Sequence, residues 1–253
     1  MLVLLSCAKT MSAVSKVKVP LTTSPRFQKE AAEIALQMSQ FSVDELERLL
    51  RVNAKIAVEN YKRYQAFHAE ATPELPALLA YTGIVFKRLN PKDFSAEDFG
   101  YAQEHLRLTS FCYGLLRPLD VIRAYRLEGD VVLPELGNQT LFSYWRSRLT
   151  DTFIEDIRSA GGILCNLASD EMKSLFDWKR VESEVRVVTP EFHVWKNGKL
   201  ATIVVYTKMS RGEMTRFILK NKIGNPEELK GFSWEGFEFD ESLSDEKKLV
   251  FIN

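Results

Sequence analysis

At 253 residues, 45% hydrophobic and 27% charged, the chain has the composition of an ordinary globular protein. No stretch approaches the roughly 18 uninterrupted apolar residues that a spanning helix needs, so no spanning helix and no membrane partner are expected. Its 34 basic and 34 acidic side chains cancel, so any site for a polyanion must come from segregated charge rather than from an average field.

Met1 to Leu5 is a continuous apolar run, the pattern of a central strand covered on both faces. Residues 7 to 25 lack periodicity and read as a basic loop. Ser24 and Pro25 supply an N-cap and a first-turn proline for a helix carrying Phe27, Ala31, Ile34, Ala35 and Met38. Ser42 and Glu45 form a capping box for the next helix, and Val52 to Phe67 continues as a third. Pro76 to Phe86 reads as a strand interrupted at Gly83. Ser95 and Asp98 open a helix to about Thr109. His105 to Arg126 reads as a helix, a Gly-containing corner and a short second helix opened by Pro118.

Thr140 to Ala160 is a long amphipathic helix ended by Gly161-Gly162. Ile163 to Leu167 is a short apolar strand. Val185 to Trp195 and Leu200 to Tyr206 alternate and are joined through Asn197-Gly198, a hairpin signal. Arg211 to Asn221 is a basic helix, and Leu249 to Ile252 a final strand. The mixture has no regular βαβ rhythm. It predicts an α+β fold with a mixed sheet and flanking helices, in one domain spanning 1–253.

Charge is segregated. Residues 1 to 29 hold five basic side chains and no acid, residues 196 to 222 hold seven against Glu213, and the tail beyond Pro226 is acidic. Such an arrangement can build a basic face, or a set of unrelated solvated faces. The 105–126 segment carries Arg107, Arg117, Arg123 and Arg126 against Asp120. As a helix-hairpin-helix unit, its corner at Gly114 would bring amide groups to a phosphate; as a structural helix pair, it would only rim the surface with arginines.

Two strand ends supply further candidates. Ser6 to Thr10 offers Lys9 and Thr10 to a phosphate or carboxylate, without a P-loop pattern. Cys7 beside Lys9 reads as a small buried residue, or as a low-pKa thiol. Asn166 to Glu171 ends a strand and starts a helix. Helix capping accounts for Ser169, Asp170 and Glu171, whereas Asn166 between leucines needs a partner. Lys208, Arg211 and Arg216 surround Gly212 at a strand-to-helix junction. The three histidines are dispersed, so no metal site is indicated, and no motif calls for a cofactor. Cys7, Cys112 and Cys165 lack CxxC spacing, as expected of reduced thiols in the cytoplasm.

Seven segments in order resemble the YaaA peroxide-stress family of bacteria: MLVLLSCAKT, PLTT (20–23), FSAEDFGYAQEHLR (94–107), YGLLRPLD (113–120), YRLE (125–128), NLASDE (166–171) and RGEMTRF (211–217). The resemblance implies an α+β fold with a positively charged cleft and a helix-hairpin-helix-like element. It also implies a role in surviving peroxide by limiting free iron, and binding of duplex or branched DNA. The family's basic positions fall on Lys9, Arg107, Arg117, Arg126, Lys208, Arg211 and Arg216. The chain departs from the pattern at Cys7, at Ile84 and Phe86 (an acid and a phenol in the family), at Cys112, and at Met172 and Ser174.

Two functions follow. The first is DNA binding through a basic cleft made of Lys9, Thr10, Arg107, Gly114, Arg117, Arg126, Asn166, Lys208, Arg211 and Arg216. The second is an enzyme acting on a nucleotide or nucleobase in the same cleft, with Glu128 or Asp170 as general base. A deep pocket uniting Lys9, Asn166 and Arg211 favours a small ligand; an open basic groove favours duplex DNA. The sequence does not determine the oligomeric state.

Overall fold

In the computed structural model, which describes all 253 residues, the apolar opening forms β1 (Leu2–Leu5) with every side chain buried. Three helices follow: α1 (Gln28–Met38), α2 (Val43–Leu50) and α3 (Ala54–Ala66). Next come β2 (Glu74–Pro76), α4 (Ala77–Ala80), α5 (Ile84–Leu89), α6 (Ala96–His105), β3 (Leu106–Ser110), β4 (Gly114–Leu116), β5 (Val121–Arg123), β6 (Val132–Leu133) and β7 (Gln139–Thr140). The chain continues through α7 (Leu141–Ser159), β8 (Ile163–Asn166), α8 (Asp170–Lys173), α9 (Trp178–Glu184), β9 (Arg186–Lys196), β10 (Lys199–Ala201), α10 (Val204–Asn221), β11 (Glu238–Asp240) and β12 (Lys248–Ile252).

The main sheet has the order β11-β12-β9-β8-β1-β3-β4, with β10 paired to β9. Five strands, β12, β9, β8, β1 and β3, run parallel. β4, β10 and β11 are antiparallel additions. The mixed sheet with flanking helices is the predicted α+β arrangement. From β1 the chain winds one way to β3; from β8 it winds the other way to β9 and β12. The winding direction therefore reverses between β1 and β8, and ligands of such sheets sit beyond the strands' carboxyl ends at that point. One contiguous cluster of 63 buried residues, from Met1 to Phe251, packs the helices onto the sheet.

Local chemistry sets several boundaries. Glu45 N donates to Ser42 Oγ at 3.3 Å and Ser42 N to Glu45 Oε2 at 2.8 Å, completing the box that starts α2. Asp98 N donates to Ser95 Oγ at 3.1 Å and Ser95 N to Asp98 Oδ2 at 2.8 Å, starting α6. Each cap is worth about 1 kcal/mol. α1 begins later than Ser24-Pro25 predicts, with Phe27 at the cap position and no side-chain cap bond.

Three expectations are corrected. The 105–126 segment is not a helix pair: α6 stops at His105, and β3, β4 and β5 follow. β3 pairs with β1 through Val3–Leu106, Leu4–Arg107 and Leu5–Leu108, and this nonlocal ladder overrides the helical spacing. Gly114 does turn the corner, at φ +71°, but in a β-hairpin under the core. A Cβ there would lie 2.7 Å from Trp145 Cζ3, so its close approach is to an indole rather than a phosphate. Pro76 to Phe86 is not a strand: the strand β2 ends at Pro76, and two short helices, α4 and α5, follow, with Gly83 at the start of α5. Finally, the second hairpin strand ends at Ala201, and Val204 to Tyr206 form the exposed first turn of α10.

Candidate functional site

A pocket of about 310 Å³ opens at the carboxyl ends of β1 and β8. Ser6 to Thr10 form the wall after β1, and Leu167, Ser169, Glu171 and Met172 the wall after β8. The remaining sides are Gly83 to Phe86, Phe111 with Tyr125 to Leu127, and Lys208 and Arg211 of α10. Ser6 binds the two strand-end loops together: its Oγ accepts from Ser169 N at 2.9 Å and lies 3.3 Å from Ser169 Oγ. Ser169 therefore does not cap α8 with its side chain, as the sequence suggested. Gly212 sets the opposite wall. A Cβ there would collide with Val85 O and lie 2.8 Å from Arg88 Cβ. Its absence lets α10 lie against α5 and carries Lys208 and Arg211 to the rim.

The electrostatics are uneven. Glu128 is 3% exposed and accepts from Lys9 Nζ at 2.7 Å through Oε2. Its Oε1 lies 3.7 Å from Arg126 Nη2 and has no hydrogen-bond partner; neither has the buried Nε of Arg126. Arg211 differs from every other arginine proposed for the site. It forms no ion pair, and its buried Nε has no partner. Burial lowers its pKa from the usual arginine value, with Asp170 opposing, yet a guanidinium keeps its proton. The pocket wall thus holds a partly desolvated cation with no ion-pair partner, compensated only by the more distant Asp170.

Tyr125 brings a hydroxyl chain to the apolar side. Its OH lies 2.6 Å from Ser110 Oγ and 2.8 Å from Tyr81 OH, and burial pushes both phenols well above their ordinary range. Cys7 is no low-pKa thiol. Burial pushes it up to about 12, Thr109 opposes, and Glu171 and Glu128 add to the rise. The reactive reading is thereby overturned, while Cys7 sits half-buried in the pocket wall rather than in the core.

Five predicted residues meet here: Lys9, Thr10, Arg126, Lys208 and Arg211. Asn166 lies in β8 just before the wall, buried, with Oδ1 accepting from Ala168 N at 3.2 Å. The rest are elsewhere. Arg107 is 7% exposed; its Nε holds Asp156 Oδ2 at 2.6 Å, and its Nη1 the carbonyls of Gln103 and Leu106 at 3.1 and 3.0 Å. Arg117 grips Asp120 Oδ1 at 2.9 Å. Arg216 takes both oxygens of Asp93. Gly114 lies under Trp145. These three arginines neutralise structural carboxylates, so the ten residues do not form one cleft. Asp170 is exposed and pairs with Lys173 at 2.7 Å, outside the pocket, whereas its neighbour Glu171 lines it.

Sequence reasoning missed the apolar half of the pocket. Ile84, Phe86, Phe111, Leu127 and Met172 carry no polar signal, and only the fold gathers them. Ile84, Phe86 and Met172 are positions where the chain departs from the family pattern it resembles, so this pocket is more apolar than that pattern implies. Cys112 is buried well inside, with Sγ 3.8 Å from Ala31 O.

A profile of the family described as "Peroxide stress protein YaaA" matches residues 1–243. A UPF0246 protein of Bacteroides thetaiotaomicron is 99% identical over 253 residues, covering 100% of this chain and 98% of its own. UPF0246 protein BF3795 of Bacteroides fragilis is 79% identical over 253 residues, with the same coverage. A UPF0246 protein of Phocaeicola vulgatus is 63% identical over 251 residues, covering 99% of this chain and 98% of its own. No helix is long and apolar enough to cross a membrane.

Proposed function

The chain belongs to the peroxide stress protein YaaA family, and from that premise we propose that it acts by binding a small phosphorylated ligand of the nucleotide class in the pocket between β1 and β8. The observation that carries this reading is Arg211. A half-buried guanidinium with no ion pair, its Nε fully buried and unpartnered, is costly in a pocket wall unless an anion completes it. Lys208, also free of any acidic partner, adds a second charge at the rim. Opposite them, Phe86, Phe111, Tyr125 and Leu127 offer an apolar surface to a planar body. A volume of about 310 Å³ lies at the lower end of small-molecule sites.

Duplex DNA binding is the second reading. It needs the cations to act together along one trough, and the pairing of Arg107, Arg117 and Arg216 with acids argues for the pocket first. Titration calorimetry with nucleoside monophosphates, inorganic phosphate and duplex DNA at two salt concentrations separates the two. The pocket reading expects a nucleoside monophosphate to bind, with Arg211→Ala weakening it at least tenfold and Arg117→Ala leaving it unchanged. Duplex binding that falls steeply with salt and weakens alike in Arg117→Ala and Arg211→Ala, with no nucleotide binding, would overturn it.

A further inference from the structure

A larger concavity of about 930 Å³ lies beyond Tyr81 and Phe86, outside the pocket just described. Lys16 and Lys18 stand on one bank, Lys87 and Lys92 on the other, and no carboxylate lines it. The lysines that pair with acids in this protein are Lys9, Lys173, Lys220, Lys222 and Lys230; these four do not. The floor is apolar, from Leu78, Leu79 and Phe94, and Val14 stands 79% exposed at its edge.

The backbone bordering the groove is an unfinished ladder. Met11 bridges Tyr81 in antiparallel sense. Thr82 N donates to Thr10 O at 3.0 Å and Ser12 N to Ala80 O at 2.8 Å. Beyond Ser12 the ladder stops. Residues 13 to 19 belong to no helix or strand, and the amides of Lys16, Lys18 and Val19 donate to nothing. From Lys16 on, burial nevertheless alternates with the period of a strand: Lys16 and Lys18 are exposed, while Val17 and Val19 pack on the core.

We propose that this groove docks an extended acidic peptide segment, which pairs as a strand with residues 13 to 19 and sets its carboxylates against Lys16, Lys18, Lys87 and Lys92. Open amides supply the main-chain bonds of strand addition, and the lysines and apolar floor select alternate side chains. Nucleic acid fits less well. No arginine lines the groove to hold phosphates with a bidentate fork.

The test is fluorescence anisotropy of a labelled Glu-Val-Glu-Val-Glu peptide against the full chain. Three comparisons accompany it: the same peptide with alternate amides N-methylated, a single-stranded oligonucleotide, and size-exclusion chromatography of the protein alone. We expect saturable peptide binding, weakened at least tenfold by Lys16→Glu with Lys18→Glu and by N-methylation. Lys196→Glu with Lys199→Glu, on the exposed hairpin, should leave it unchanged. Four results would overturn the proposal: no acidic peptide bound, which would leave the lysines as guards of an open edge; binding indifferent to N-methylation; an oligonucleotide held tighter through the same lysines; or a self-associated chain occupying the groove.

Discussion

Arg211→Ala tests the site most directly, because it should move affinity and stability in different directions. In the free protein the guanidinium has no carboxylate partner and its Nε no hydrogen bond, so removing it ends a desolvation cost while losing the packing of its stem. The net change in stability should stay within about 1 kcal/mol, a shift of at most ~4 °C in Tm for a chain of this size. Ligand binding should lose the charge-assisted hydrogen bonds, about 1.5–3 kcal/mol, or roughly a tenfold to 150-fold rise in Kd. Arg107→Ala is the contrast. It leaves the half-buried Asp156 with only the Arg26 contact at 3.1 Å and strips donors from two carbonyls, at a cost of about 2–3 kcal/mol. Thermal denaturation and calorimetry on both variants read the difference. If Arg211→Ala lowered Tm as far as Arg107→Ala while nucleotide affinity held, Arg211 would be a structural residue and the reasoning would fail.

Other outcomes follow from the same geometry. Glu128→Gln removes the negative charge facing Lys9 and Arg126 while keeping an acceptor, so affinity for a phosphorylated ligand should rise several-fold at low salt, measured by calorimetry. Gly212→Ala drives a methyl group into Val85 O; overpacking of this kind costs about 1–3 kcal/mol, and chemical denaturation should show it alongside weakened ligand binding as α5 is displaced. The buried thiols predict an alkaline signature. Burial raises Cys7 and Cys165 from 9.0 to about 12, so the unfolded chain ionises first. Their contribution is complete below pH 9 and is lost as pH climbs toward about 12. Cys7→Ala should flatten that part of the stability curve, and iodoacetamide mapped by mass spectrometry should leave Cys7 unlabelled at pH 8 in the native protein.

Legibility in the sequence followed the range of the interactions. Ser42 with Glu45 and Ser95 with Asp98 could be read because cap and partner are three residues apart. Met1 to Leu5 and Ile163 to Leu167 could be read as buried strands, and their polar ends as candidate loops, since an apolar run ending in Ser-Cys-Ala-Lys-Thr or Asn-Leu-Ala-Ser announces both. Leu106 to Ser110 could not, because only pairing with Val3 to Leu5 makes it a strand. The arginines show the same divide. Nothing near Arg107 in sequence points to Asp156, 49 residues on, and Asp93 lies 123 residues from Arg216. Arg211 resembled them in one dimension and differs only in having no acid waiting for it. The apolar half of the pocket was invisible because no single residue in it carries chemistry.

The central position of β1 has a consequence for how the protein is made. Val3 pairs with Leu106 on one side and Cys165 on the other, so this interior strand is made before both of its neighbours and is completed only when β8 arrives. At ordinary ribosomal speeds, roughly ten seconds or more separate its synthesis from that of β8. Until β3 emerges the five apolar residues Met1 to Leu5 have no strand partner, and until β8 emerges one edge of β1 stays open. Nascent chains halted before Asn166 should therefore be sticky and dependent on chaperones, and folding should be slow for a protein of this length, limited by closing its longest loops rather than by forming its helices.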